Sequence, residues 1–306
     1  MPELPEVETT VKGLRKNVVG LKIKNIWTDL STKDKRQMGN VANPVYFKFF
    51  KKEVTGRKII SAERRAKNIL INLNNRKTIL VHMKMTGHLL YGKYIYSSGR
   101  KVGTGWVPEN VKSPLNDPFN RFIHVIFNFT NGKSLAFSDA RKFGKMTLVD
   151  TNEIHSSKHL NNIGPEPLEK QFTVENFKSK IIKKPKGKIK TVLMDQSVIA
   201  GIGNIYSDEI LWKAGIHPEK RVTKITETEI KKIFKAMKEI LKKGIYFGGD
   251  SMSDYRNIEG LPGKFQLKHK AYKKVGERCE KNGCSGIIVR KKINGRSAHF
   301  CPVHQK

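Results

Sequence analysis

The run CEKNGC at 279–284, followed by CPVH at 301–304, decides how the end of this chain folds. It reads Cys279-x4-Cys284-x16-Cys301-x2-His304, two close pairs separated by a spacer of hairpin length. Three thiolates and an imidazole are the donors that hold zinc tetrahedrally, and such a closed set is structural, expected here at about one ion per chain. The sequence offers His299 as a rival fourth ligand, but it stands only two residues before Cys301, an awkward spacing for convergence. All three cysteines of the chain fall in this tail. An odd, clustered set favours a metal over disulfides; free thiols without a metal are the alternative. A metal replaces the core that so short a tail cannot build and holds a hairpin rigid. The expected hairpin tip, Arg290 to Arg296, is strongly basic and suits nucleic acid; a solvated charged turn is the plainer reading.

Upstream the texture is helical. Thr226 and Glu229 make a capping box ahead of Ile230, Ile233, Phe234, Met237 and Ile240, with Gly244 as the expected stop. Residues 247–263 are Gly-rich and irregular. Further back, 21–150 read as β. Asn68–Leu73 and Thr78–Val81 flank a turn at 74–77, and Phe122–Phe129 and Lys133–Phe137 flank Thr130-Asn131-Gly132. Residues 97–119, rich in Gly, Pro, Ser and Asn, read as a long exposed loop. At the start, Val7, Val11, Leu14 and Val18 have helical spacing behind Pro5, with Gly20 as a stop. The organisation expected is an N-terminal domain over 1–150, a linker over 151–168, a helical domain over 169–264 and a metal-bound hairpin over 265–306.

Sixty Lys and Arg against 27 Asp and Glu give a formal net charge of +33. Such an excess points to a polyanion, because each phosphate neutralised releases counterions. A ribosomal protein, a membrane-surface protein or a lysine-rich host composition would share it. No stretch approaches the ~20 apolar residues of a membrane span. MPELPEVETT has neither a positive start nor an apolar run, so a secretory signal is not expected. A cytoplasmic protein is the expectation.

Pro2 and Glu3 form the second constellation. The initiator Met1 is normally removed before a small residue, which would leave the secondary amine of Pro2 at the terminus. An α-amine titrates near 8, well below a lysine, so part of it is a free nucleophile at neutral pH. Glu3 and Glu6 are placed to move protons beside it; a mere helix N-terminus is the alternative.

Pro2-Glu3-Leu4-Pro5-Glu6-Val7-Glu8-Thr9 resembles the start of the bacterial-type formamidopyrimidine-DNA glycosylase family. So do Arg64-Arg65-Ala66-Lys67, His82-Met83-Lys84-Met85-Thr86-Gly87, Asp139-Ala140-Arg141-Lys142-Phe143-Gly144, and Leu193-Met194-Asp195-Gln196 with Gly201-Ile202-Gly203-Asn204-Ile205-Tyr206. Phe265-Gln266 and the metal tail complete a collinear set over nearly the whole chain. The resemblance implies an α+β protein: an N-terminal β-sandwich with flanking helices, then a helix–two-turns–helix domain with a zinc-finger β-hairpin. Damaged double-stranded DNA would lie between the two, bound by a monomer. The implied activity is excision of oxidised purines with strand cleavage by β,δ-elimination. Pro2 would attack C1′ and form a Schiff base, Glu3 would be general acid/base, and Lys67 and Arg296 would assist elimination and grip phosphate. Met85, Arg141 and Phe143 would fill the gap left by the flipped nucleotide, the arginine pairing with the orphaned cytosine. Lys190 and Asn204 would contact phosphates, with Gly201 and Gly203 bringing backbone N–H groups close. The chain departs from the family in its Cys-x4-Cys and terminal His304, in Phe122 ahead of His124, and in a longer 97–119 segment. An oxidised-pyrimidine glycosylase of the endonuclease VIII type and a non-catalytic zinc-ribbon protein are the rivals. Leu4 and the 248–263 segment favour the purine enzyme over the first, and the presence of Pro2, Glu3 and Lys67 argues against the second.

Overall fold

The structure, a computed structural model, describes residues 1–34, 38–98 and 105–306. Two compact units divide it: 1–161 with 248–264, and 162–247 with 265–306. The 248–264 segment therefore belongs with the N-terminal half, whereas the sequence reading grouped it with the helical domain.

The first unit opens with helix α1 (Leu4–Asn17) and contains α2 (Pro44–Val54). Eight of its ten short strands, of β-branched and aromatic texture, form two four-stranded antiparallel sheets. One sheet runs in the order β1 (Ile23–Thr28), β8 (Ile123–Phe129), β9 (Ser134–Ser138), β5 (His88–Gly92). The other runs β10 (Lys145–Asp150), β4 (Lys77–His82), β3 (Asn68–Leu73), β2 (Ile59–Arg65). Alternate residues of both sheets share one core: Ile69, Ile71, Ile79 and Val81 on one side, Val125, Phe127, Leu135 and Phe137 on the other. Val7, Val11 and Leu14 of α1 and Phe50 and Val54 of α2 seal its edges. That is a β-sandwich with flanking helices. Helix α2 escaped the β reading because its aromatics suit either state. Its signals are Pro44 in the first turn and Asn43, whose side chain accepts the Tyr46 N–H at 2.9 Å.

Residues 97–119 are only partly the exposed loop the sequence suggested. Tyr94–Ser97 (β6) and Gly105–Pro108 (β7) pair as a small hairpin, with Tyr96 opposite Trp106 and their rings 5.7 Å apart. Two 3-10 turns follow at Pro114–Asn116 and Pro118–Asn120, and Leu115 is buried. Residues 99–104 of that stretch lie outside the described residues.

The second unit holds α3 (Val174–Ile181), α4 (Ile189–Met194), α5 (Asn204–Ala214), α6 (Glu227–Tyr246) and a hairpin of β11 (Val289–Ile293) and β12 (Arg296–Phe300). The Thr226–Glu229 capping box starts α6 as expected. Gly244 does not stop it: that glycine is buried inside the helix, which runs to Tyr246. The break falls instead at Gly248 and Gly249, both at positive φ (73° and 85°), where a side chain would be strained. Among the described residues no helix is long and apolar enough to cross a membrane.

Candidate active site and nucleic-acid interface

In the first unit, α1 presents the N-terminal group. Pro2 is buried and Glu3, the N-cap of α1, is 2 % exposed. The Glu3 N–H donates to Glu6 Oε2 at 2.7 Å, and the Asp250 N–H donates to Glu6 Oε1 at 2.7 Å. Glu6 therefore holds backbone on both sides, a fixed role unlike the proton shuttle suggested by its place in the sequence. Only glycine fits beside it, since a Cβ on Gly249 would lie 2.9 Å from Glu6 Cγ. The Tyr255 hydroxyl donates to the Glu6 carbonyl at 2.9 Å, so the 248–264 segment is stitched to the first turn of α1.

Lys67 sits in the tight β2–β3 turn and is 6 % exposed. The turn needs Ala66 at φ 54°, and its Ala66 carbonyl accepts from Arg64 Nη1 at 3.1 Å. Arg64 Nε in turn donates to Glu8 Oε2 of α1 at 2.9 Å. One chain of contacts thus runs from the helix begun by Glu3 to the turn that carries Lys67. His82 lies nearby; burial, with Lys84, Lys67 and Lys145 close, pushes its pKa down to about 3. Its neutral ring accepts the Lys84 N–H at Nδ1, 3.0 Å away.

Met85, Arg141 and Phe143 come together on loops after β4 and β9. All three are exposed, Met85 at 40 % and Phe143 at 49 %. Arg141 lies over the Phe143 ring at 4.6 Å. Large apolar side chains left in water beside a cation suit insertion between bases better than core packing. His124, two residues after the departure at Phe122, turns to Asp29, with Nδ1 at 2.9 Å from Oδ1.

The second unit gathers the phosphate-type candidates with one exception. Asn204 opens α5 behind Gly203, which caps it without a side chain. Gln196 shapes that turn: its Oε1 accepts the Gly201 N–H at 2.8 Å and its Nε2 donates to the Ile202 carbonyl at 2.7 Å. The positive end of a helix dipole behind a side-chain-free cap is suited to an anion. Arg296 is exposed beside the hairpin turn, where Asn294 and Gly295 both have positive φ, the two-residue turn that an Asn-Gly pair favours.

Lys190 is the exception and a correction. Expected at the phosphate surface, it is fully buried, with Nζ 2.5 Å from Asp208 Oδ1 and 3.1 Å from Ser207 Oγ. The other Asp208 oxygen accepts the His299 N–H at 3.0 Å and lies 2.9 Å from His299 Nδ1. With the Asn204 carbonyl 3.4 Å from Nζ as a third partner, the ammonium is held inside the protein. The sequence could not show this, because a buried acid four residues into α5 has no local signature.

Cys279, Cys284, Cys301 and His304 have ligand atoms all within 4.8 Å of one another. Two edges measure 3.6 Å (Cys284 Sγ to Cys301 Sγ) and 3.2 Å (Cys279 Sγ to His304 Nδ1). A tetrahedron with bonds of about 2.0–2.3 Å has edges of roughly 3.3–3.8 Å, close to both distances, so the donor set fits zinc. His304 Nε2 is bound to the Trp212 carbonyl at 2.9 Å, which orients the ring for ligation through Nδ1. His299, the rival, is committed to Asp208.

Residues 1–146 match the formamidopyrimidine-DNA glycosylase N-terminal domain and residues 163–256 the formamidopyrimidine-DNA glycosylase H2TH domain. The formamidopyrimidine-DNA glycosylase of Pelotomaculum thermopropionicum is 37 % identical over 306 residues, covering 100 % of this chain and 99 % of the relative. That of Lactococcus lactis is 36 % identical over 306 residues, covering 100 % of both. Among solved structures, Lactococcus lactis Fpg in complex with DNA containing an abasic site superposes with a TM-score of 0.81 at 33 % identity over 99 % of each chain. The wild-type enzyme with DNA containing N7-benzyl-Fapy-dG gives 0.81 over 100 % of each.

Proposed function

The chain belongs to the formamidopyrimidine-DNA glycosylase family, and we propose that it excises oxidised purines from duplex DNA and cleaves the strand at the abasic site it makes. The observation that carries the chemistry is Glu3, a buried carboxyl fixed as the N-cap of α1 immediately after Pro2. Once Met1 is removed, the Pro2 nitrogen attacks C1′ as the glycosidic bond breaks, and Glu3 supplies a proton to the departing base. The C1′–O4′ bond then opens with a proton going to O4′, which leaves the Pro2 nitrogen as an iminium; loss of the C2′ proton expels the 3′ phosphate, and loss of the C4′ proton then expels the 5′ phosphate. Lys67 would help the first step, and Arg296 would hold phosphate during the second. Met85 and Phe143 fill the vacated stack, offsetting part of the few kcal/mol that flipping costs, while Arg141 meets the orphaned base. Every candidate group lies on one polypeptide, which supports action as a monomer.

The test is incision of duplexes carrying 8-oxoguanine, a formamidopyrimidine or an oxidised pyrimidine opposite cytosine or guanine. Preference for the purine lesions is expected; preference for the pyrimidine would give the chain to the endonuclease VIII type instead.

The tail residues Cys279, Cys284, Cys301 and His304 would hold zinc, which when bound would fix the base of the hairpin carrying Arg296. Metal analysis should find about one zinc per chain. His304→Ala should lower zinc affinity well below that of His299→Ala; equal losses would mean that the fourth ligand lies elsewhere.

A further inference from the structure

Two loops carry the exposed trio Met85, Arg141 and Phe143, and one buried carboxylate joins them. Asp139 is 1 % exposed. Its Oδ1 accepts from the hydroxyl of Thr86, the residue after Met85, and from the Arg141 N–H at 3.3 Å. Its Oδ2 accepts the Gly144 N–H, next to Phe143, at 2.7 Å. The Thr86 hydroxyl also receives the Arg141 N–H at 3.1 Å, so it donates to the acid and accepts from the other loop at once.

The backbone around this anchor is unusual in the same way in both loops. Lys84 precedes Met85 and Lys142 precedes Phe143, and each of these lysines adopts φ 56°. A non-glycine residue in the left-handed region persists only where its surroundings over-determine it. Gly144 is held to glycine, because a Cβ there would come within 2.3 Å of Phe137 Cζ and 3.0 Å of Asp139 Oδ2. Gly87 has the same constraint, 2.5 Å from the Met83 carbonyl.

We infer that Asp139, acting with Thr86, is a positioning residue that locks the Met85 loop and the Arg141–Phe143 loop into one wedge, and so sets how strictly the opposite base is read. This rests on the proposed glycosylase function. Neither residue touches DNA in this reading; both act through the three that do. A side chain reads a base edge only when its backbone is fixed to a fraction of an ångström, and charge-assisted bonds to a buried carboxylate supply that fixity.

The test compares Thr86→Val, Thr86→Ser and Asp139→Asn with the wild-type chain. Valine keeps the shape of threonine and removes the hydroxyl; serine keeps the hydroxyl. Asparagine keeps the size of aspartate but cannot accept two backbone bonds and the hydroxyl with both terminal atoms. Three readouts are taken at equal folded fraction, set by near-UV circular dichroism. They are single-turnover excision of 8-oxoguanine opposite cytosine and opposite adenine, cleavage of a pre-formed abasic site, and fluorescence of 2-aminopurine beside the lesion as a report of unstacking. Thr86→Val and Asp139→Asn should lose the cytosine-over-adenine ratio by about tenfold, the scale of one lost charge-assisted bond. They should also blunt the fluorescence rise and leave abasic-site cleavage within about twofold, while Thr86→Ser keeps all three. An unchanged ratio and fluorescence in Thr86→Val would overturn the inference, as would equal loss in every assay or a serine variant that behaves like valine. A wild-type chain inactive on every lesion duplex would instead sink the proposed function, and the anchor's purpose with it.

Discussion

Borohydride added to this chain and an 8-oxoguanine:cytosine duplex is expected to trap a covalent protein–DNA adduct, and peptide mapping to place it on Pro2. A preparation that retains Met1 throughout should trap nothing, because the proline nitrogen is then a tertiary amide without an available lone pair. The effect is all-or-none. The choice of amine follows from proton affinity: an α-amine near 8 is partly free at neutral pH, whereas an ordinary lysine near 10 is almost wholly protonated. Glu3→Gln extends the test. It should strongly reduce base release and spare cleavage at a pre-formed abasic site, since the carboxyl matters most when the base departs. Glu3 also begins α1, so the variant must first be shown to fold; glutamine can still accept hydrogen bonds at the cap. Full trapping by the Met1-bearing preparation, or an adduct on Lys67, would remove Pro2 as nucleophile and leave the glycosylase activity standing.

What the sequence made legible was whatever is written in local pattern. The apolar runs at 68–73 and 78–81 around a turn at 74–77, the basic hairpin expected to tip within 290–296 and the Thr226–Glu229 box each map onto an observed strand, hairpin or helix start. The four tail ligands were legible because metal spacing is local too, and they converge within 4.8 Å. What stayed hidden depends on contacts far apart in the chain. Asp250 reaching Glu6 across 244 positions moves the 248–264 segment to the other unit, and no composition shift marks that return. Glu6 and Lys190 were both read as working groups from their place in a motif. Their partners, Asp250 in one case and Asp208 in the other, give them interior roles that only the fold reveals. Asp139 was visible as part of a quoted block, but nothing local distinguishes an acid that faces solvent from one that binds Thr86, Arg141 and Gly144.

Lys190→Ala is therefore expected to act on stability and not on the electrostatics of DNA binding. Removing one partner of a buried ion pair leaves the other charge without compensation and typically costs about 3–5 kcal/mol. Here the stranded group would be Asp208, 1 % exposed, held by the His299 N–H and ring. Denaturant unfolding of the unit built on α4, α5 and the hairpin should show a loss of that order. Because Asp208 also fixes His299 on β12, three residues from Arg296, the hairpin should lose its register against α5, and strand cleavage should fall with it. A second change separates the two explanations. Lys190→Met with Asp208→Asn removes both charges and should recover a substantial part of the stability, as buried pairs replaced together often do. The salt dependence of duplex binding gives the opposite signature for a phosphate contact: losing one would reduce the slope of log K against log salt by about 0.9. At temperatures where the variants remain folded, that slope should match the wild type. A Lys190→Ala chain of wild-type stability whose slope falls by about one would return Lys190 to the phosphate surface, and would mean that its burial against Asp208 opens when DNA binds.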